Sequence, residues 1–160
     1  MRAVALTLAI LASFLIGAPA QAASGDRMVI DKIDVNSPIV RVGQRSGALT
    51  LGHSLWTTYR WGAGVKPCAP GSVAFAVHAY EVSGGRALGN RVSSLRSGDK
   101  IRIPGKCSYR VTSNTVVKRN TSLKSCYSFD GRARGCIITC VNRVGPGDYT
   151  HRRVIRFVRQ

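Results

Sequence analysis

Acidic side chains are scarce: seven Asp and Glu stand against 24 Lys and Arg in 160 residues, a formal balance of +17 at pH 7. Seven carboxylates scattered along the chain make no calcium site. No Cys-x-x-Cys or Cys/His cluster has zinc spacing either, so no metal or other cofactor is expected. Long hydrophobic runs are also missing, apart from Ala3 to Ile16, which is too short to span a bilayer comfortably. No window carries a convincing helical stripe. No internal repeat, low-complexity tract or linker-like Pro/Ser run divides the chain.

What stands at the start reads as a targeting signal. Arg2 supplies the positive region and Gly17 and Pro19 break the apolar run. Ala20-Gln21-Ala22 is a small-x-small cleavage site. Residues 1–22 are expected to be a signal peptide, or an uncleaved anchor that would still place the rest outside the cell. Residues 23–160 form one domain's length of chain. Removing Arg2 with the signal takes the balance from +17 to +16. Such a domain is drawn to polyanions, whether nucleic acid, acidic membrane or the anionic polymers of a bacterial wall. Export disfavours nucleic acid, and no aromatic residues interleave the basic strands as single-strand binding would need.

Short β-like runs recur between turn residues. Met28 to Val35 alternates apolar and polar side chains, and Pro38 to Val42 repeats the pattern. Ser72 to Val77 is nearly all apolar, as in a central strand. Lys100 to Ile103 and Tyr109 to Ser113 flank Pro104-Gly105-Lys106 and read as a hairpin. Ile137 to Val141 and Arg153 to Val158 complete the set, and Ala87 to Leu95 is the best place for a short helix. The pattern predicts an all-β domain, a closed barrel or a sandwich.

Five cysteines in an exported chain are an odd number, so one is left unpaired or pairs between molecules. Three residues then stand out. His78 follows the strand ending at Val77, Cys140 ends the run Ile137 to Thr139, and Arg152 opens the last apolar strand. Taken singly, each has an ordinary reading: a solvated histidine, a half-cystine and a surface charge. Together they are an imidazole, a thiol and a guanidinium, the parts of acyl transfer through a thioester.

On these residues the chain resembles the sortases, cell-surface cysteine transpeptidases of Gram-positive bacteria. The likeness runs in collinear order through Val29 to Val42, Pro70 to His78, Leu95 to Ile101, Tyr109 to Ser113, Ile137 to Cys140, and Arg152 leading into Val154-Ile155. It is most like the short actinobacterial class E/F type, which carries little beyond the catalytic domain. The resemblance implies a closed eight-stranded β-barrel with one or two short helices. It also implies that Cys140 attacks the Thr–Gly carbonyl of a Leu-Pro-x-Thr-Gly-type sorting signal on a surface protein. An amine of a peptidoglycan precursor or a pilin then resolves the acyl-enzyme. His78 is implied as acid/base, Arg152 as the donor to substrate or oxyanion, and Thr139 and Val77 as substrate contacts. Anionic wall polymers are further candidate partners.

Val77 stands where that family usually has Gly, which bears on the pocket rim and substrate preference. Arg153 adjoins Arg152, and strand alternation sends the two to opposite faces. The spacing to Val154-Ile155 favours Arg152. Four cysteines beyond the nucleophile allow three connectivities, of which Cys68–Cys107 with Cys126–Cys136 is favoured. Cys136 and Cys140 lie about 13 Å apart on an extended strand, too far to bridge. Among rivals, NlpC/P60-type peptidases place Cys before His, the reverse of this order. L,D-transpeptidases need a Ser-His-Gly stretch near the Cys that is absent here. A non-enzymatic alternative is a cationic, disulfide-stabilised wall-binding module with no reactive thiol.

Overall fold

Short β-branched runs broken by Gly and Pro cannot propagate helix, and they close instead into sheet. The computed structural model describes residues 25–45, 48–79 and 86–160; the expected signal segment lies outside them. Its strands are β1 (Arg27–Ile30), β2 (Val35–Val42), β3 (Gln44–Arg45), β4 (Ala48–Leu49), β5 (Thr58–Trp61), β6 (Ser72–Ala76), β7 (Lys100–Ile103), β8 (Cys107–Lys118), β9 (Arg134–Gly145) and β10 (Asp148–Arg159). One helix, α1 (Leu88–Val92), and two 3-10 turns, Asp31–Ile33 and Lys124–Tyr127, accompany them. Among the described residues eight strands form a closed barrel in the order β1-β2-β5-β6-β9-β10-β8-β7, with β3–β4 a separate hairpin. This is the all-β barrel expected. No helix of the described residues is long and apolar enough to cross a membrane.

Two pairings are parallel, β2 with β5 and β6 with β9; the rest of the barrel is antiparallel. Inside sit Met28, Ile30, Val73, Phe75, Ile101, Tyr109, Ile137, Ile155 and Phe157, all 1% exposed or less. Phe157 lies between Phe75 and Tyr109, its ring centroid 6.0 and 4.8 Å from theirs. Burial pushes the Tyr109 phenol's pKa up, and its oxygen accepts from the Cys68 amide at 2.5 Å. The Cys68–Cys107 bridge ties the same segment to the start of β8.

Outside the barrel a second cluster forms where the Lys124–Tyr127 turn lies on β9 and β10: Leu123, Cys126, Cys136 and Val154, with Ile138 and Tyr127 against them. The Cys126–Cys136 bridge staples that turn to β9. Odd-numbered residues of this stretch of β9 therefore face the core and even-numbered ones the stapled turn.

The run Met28 to Val35 is not one strand. The chain turns at Asp31–Ile33, where the Asp34 amide donates to Asp31 O at 3.1 Å and Asp34 takes φ 49°. Alternation survives because β1 and β2 face the same core from either side of that turn. β9 and β10 are also longer than their apolar runs, since the outer halves pair with each other rather than bury side chains.

Gly135 marks a close approach of β9 to the core. A Cβ there would overlap the Val73 carbonyl and stand 2.6 Å from the Phe157 ring. Gly135→Ala is expected to cost about 1–3 kcal/mol through overpacking, read as a lower urea midpoint with an unchanged slope.

Candidate active site

The arrangement starts from strand register. In the antiparallel pair β9–β10, Arg152 is the direct partner of Cys140 and Arg153 of Thr139. Directly opposed residues share a face, with Cβ atoms about 4.5–5.5 Å apart. Cys140 and Arg152 therefore stand together on the outer face, beside the stapled turn. Cys140 is half-buried and is the free cysteine of the five.

His78 reaches this place along the parallel pair. Ala76 lies beside Ile138, and the Val77 amide still donates to Ile138 O at 3.1 Å. Continuing the register two residues sets His78 next to Cys140. There the backbone leaves the sheet: His78 O accepts from the Gly89 amide at 2.7 Å, at the start of α1. The ring is held from the other side, Nε2 being 2.6 Å from Gly52 O and the Tyr59 ring edge-on at 5.7 Å. A carbonyl only accepts, so Nε2 carries the proton in this bond. The Tyr59 hydroxyl donates to Ser54 O at 2.9 Å and steadies the same loop.

Arg153 is placed differently. Its Nη1 donates to Asn114 Oδ1 at 2.9 Å, and Asn114 donates in turn to Ser93 O and Leu95 O. It braces β10 against the segment after α1, on the face away from Cys140. Thr139 and Val77, proposed above as substrate contacts, are 2% and 3% exposed. Their side chains point inward, Val77 into the core cluster and Thr139 against Gly89. Neither side chain is presented at the surface. His151 is committed to the β9–β10 turn, its Nδ1 2.8 Å from Thr150 Oγ1 and 3.1 Å from Asn142 Nδ2.

Burial pushes the Cys140 thiol's pKa up from its ordinary value, and the positive charges of Arg152 and Arg119 oppose this. Burial likewise raises the Tyr127 phenol, again opposed by Arg152. The Arg152 guanidinium thus acts on both groups, and with Gln44, Leu123, Lys124 and Tyr127 it lines an open groove of about 500 Å3. Gly52, Tyr59, Lys124 and Tyr127 have no signal in the sequence. Gly52 acts through a backbone carbonyl, and the others are brought in by a four-residue strand and a 3-10 turn.

The thiol shift has a measurable sign. With its pKa raised, Cys140 is mostly protonated at pH 7, so alkylation by iodoacetamide should climb steadily to above pH 9 rather than level off near neutrality. Arg152→Ala removes a charge that favours the thiolate, so the curve should move to higher pH. Arg153→Ala should leave it in place.

Comparison with solved structures decides the architecture. Sortase C-1 from Actinomyces oris superposes with a TM-score of 0.62 at 25% identity, over 84% of this chain and 72% of that one. The fold is that of the sortases. Listeria monocytogenes sortase A matches with a TM-score of 0.63 at 19% identity, over 84% and 86% of the two chains. A Clostridium perfringens sortase D5 transpeptidase gives 0.63 at 16%, over 84% and 78%. No protein-family model and no curated protein matches the chain. These sortase matches each cover 84% of the chain, whose His78, Cys140 and Arg152 lie on the β6, β9 and β10 side of the barrel.

Proposed function

We propose that this protein is a sortase-type cysteine transpeptidase. It cleaves a Leu-Pro-x-Thr-Gly-type signal between Thr and Gly and passes the acyl group to an amine. The observation that carries the reading is the pairing of the one free thiol, Cys140, with Arg152 across β9–β10, beside His78 just past the end of β6.

Burial keeps the resting Cys140 as a neutral thiol, so its proton leaves as the sulfur attacks the Thr carbonyl carbon. His78 takes that proton, through Nδ1 or after the ring releases Gly52 O. It gives the proton to the Gly nitrogen as the C–N bond breaks. Cys140 then holds the acyl group as a thioester. The incoming amine attacks the same carbonyl carbon, loses a proton to His78, and the thiol is restored. Arg152 donates to the carbonyl oxygen as negative charge develops on it, and as a permanent cation it keeps that role at any working pH. The Cys126–Cys136 staple holds the groove wall that carries Lys124 and Tyr127 beside it.

The donors of the signal would be surface proteins, and the acceptor an amine of a wall precursor or a pilin, with the domain outside the cell. The reading is tested by incubating the protein with Leu-Pro-x-Thr-Gly peptides and an added amine, then separating the products. A ligated Thr–amine product supports transpeptidation. Intact peptide with an unreactive Cys140 supports the cationic wall-binding module instead.

A further inference from the structure

The excess charge has a place in the fold that the catalytic reading does not use. All six described Asp residues are in ion pairs, with Lys32, Arg91, Arg102, Lys106, Arg119 and Arg134. Further cations lie on the outer surface of the barrel, and one group is ordered by strand register. Lys100 on β7 pairs with Arg110 on β8, Arg110 with Val158 on β10, and Val158 with Arg134 on β9. Their sequence neighbours Ile101, Tyr109, Phe157 and Gly135 face the core, so this row faces out. It crosses four adjacent strands, about 15 Å at the usual interstrand spacing.

Arg156 lies one row further along the same face, its Nη1 3.3 Å from Thr115 Oγ1. Arg132, exposed, lines an open concavity of about 600 Å3 with Arg134, Val158 and Arg159. Two carboxylates adjoin the group: Asp130 binds Arg134, and Asp31, held by Arg102, feels the charge of Lys100.

We propose that this outer face of β7-β8-β10-β9 is a docking track for an anionic phosphate polymer. Lys100, Arg110, Arg132 and Arg156 serve as its contacts. The choice of occupant rests on the shape of the charge. The cations are strung across the face rather than gathered at one point, Lys100 and Arg110 in the row, Arg156 one row on and Arg132 at the concavity beside Val158, matching a chain with one negative charge per repeat. Three of the four are arginines, whose planar fork fits phosphate oxygens. A bilayer surface would call for apolar side chains between the cations, and the row offers only Val158, 42% exposed. The proposal does not depend on the chemistry at Cys140.

The test is binding of long-chain inorganic polyphosphate to the purified protein between 50 and 200 mM NaCl. Two fourfold variants of equal net charge are compared. One removes the track (Lys100→Gln, Arg110→Gln, Arg132→Gln, Arg156→Gln). The other removes four exposed cations elsewhere (Arg41→Gln, Arg45→Gln, Lys66→Gln, Arg96→Gln). Thermal unfolding checks that both fold. The track variant is expected to bind at least about tenfold more weakly. Its log–log salt slope should fall by about 3, at roughly 0.7 per lost phosphate contact. The control should lose less than about threefold. Equal losses in the two variants overturn the proposal in favour of net charge alone. Binding of phosphatidylglycerol vesicles that is lost in Phe129→Ser, which removes the 69% exposed aromatic ring beside Asp130, with polyphosphate binding unaffected by either fourfold variant, overturns it in favour of a lipid surface.

Discussion

Cys140→Ala is expected to abolish cleavage of a Leu-Pro-x-Thr-Gly-type peptide, a loss at least on the order of 10^4-fold, while the protein keeps its unfolding transition. The two halves of this result have separate causes. The other four cysteines are joined as Cys68–Cys107 and Cys126–Cys136, so no second thiol can stand in for the lost one. Cys136, four residues earlier on the same face, is held by its bridge to the Lys124–Tyr127 turn. The side chain of Cys140 is only half-buried and lies at the margin of the stapled cluster, which is made of Leu123, Cys126, Cys136 and Val154. Trimming it to a methyl group therefore opens little new cavity. A variant that loses activity and structure together would mean Cys140 is a packing residue.

The second large effect separates two neighbours. Arg152→Ala is expected to lower kcat/KM by on the order of a hundredfold or more, the usual cost of a lost oxyanion donor. Arg153→Ala should retain most of the turnover and instead lower stability by about 1–3 kcal/mol, the scale for a buried group left without its partner. The difference follows from register. Arg152 opposes Cys140 on the outer face, whereas Arg153 opposes Thr139 and donates to Asn114. Measuring kcat/KM and the urea midpoint for both variants settles the matter. Full activity in Arg152→Ala with loss in Arg153→Ala reverses the assignment.

Much of the barrel was legible because its strands carry their own patterns. The hairpin of β7 and β8 shows in two alternating runs about Pro104-Gly105, and β6 in a short continuous apolar run. What could not be read depends on contacts between distant segments. β5 has four residues and no clear alternation. It exists because it pairs with β2 on one side and β6 on the other. The turn at Asp31–Ile33 hid inside an alternation that both flanking strands share.

For the site, residue types and order were enough to single out His78, Cys140 and Arg152. The faces were not, except where alternation separates adjacent residues such as Arg152 and Arg153. Thr139 and Val77 show the limit. Each is adjacent in sequence to a proposed catalytic residue, and for that reason each points the other way along the chain, into the barrel. Gly52 holds the His78 ring through its main-chain carbonyl, and residue identity says nothing about such a partner.

The most direct measurement is mass spectrometry of the protein trapped part-way through turnover with a Leu-Pro-x-Thr-Gly peptide, after alkylation without reduction. The expected result is a peptide containing Cys140 heavier by the acyl fragment that ends at Thr, with the adduct released by an added amine. The Cys68–Cys107 and Cys126–Cys136 peptides should remain linked. Peptide cleavage with Cys140 unmodified and alkylated throughout, or an acyl adduct on any other residue, would contradict Cys140 as the nucleophile.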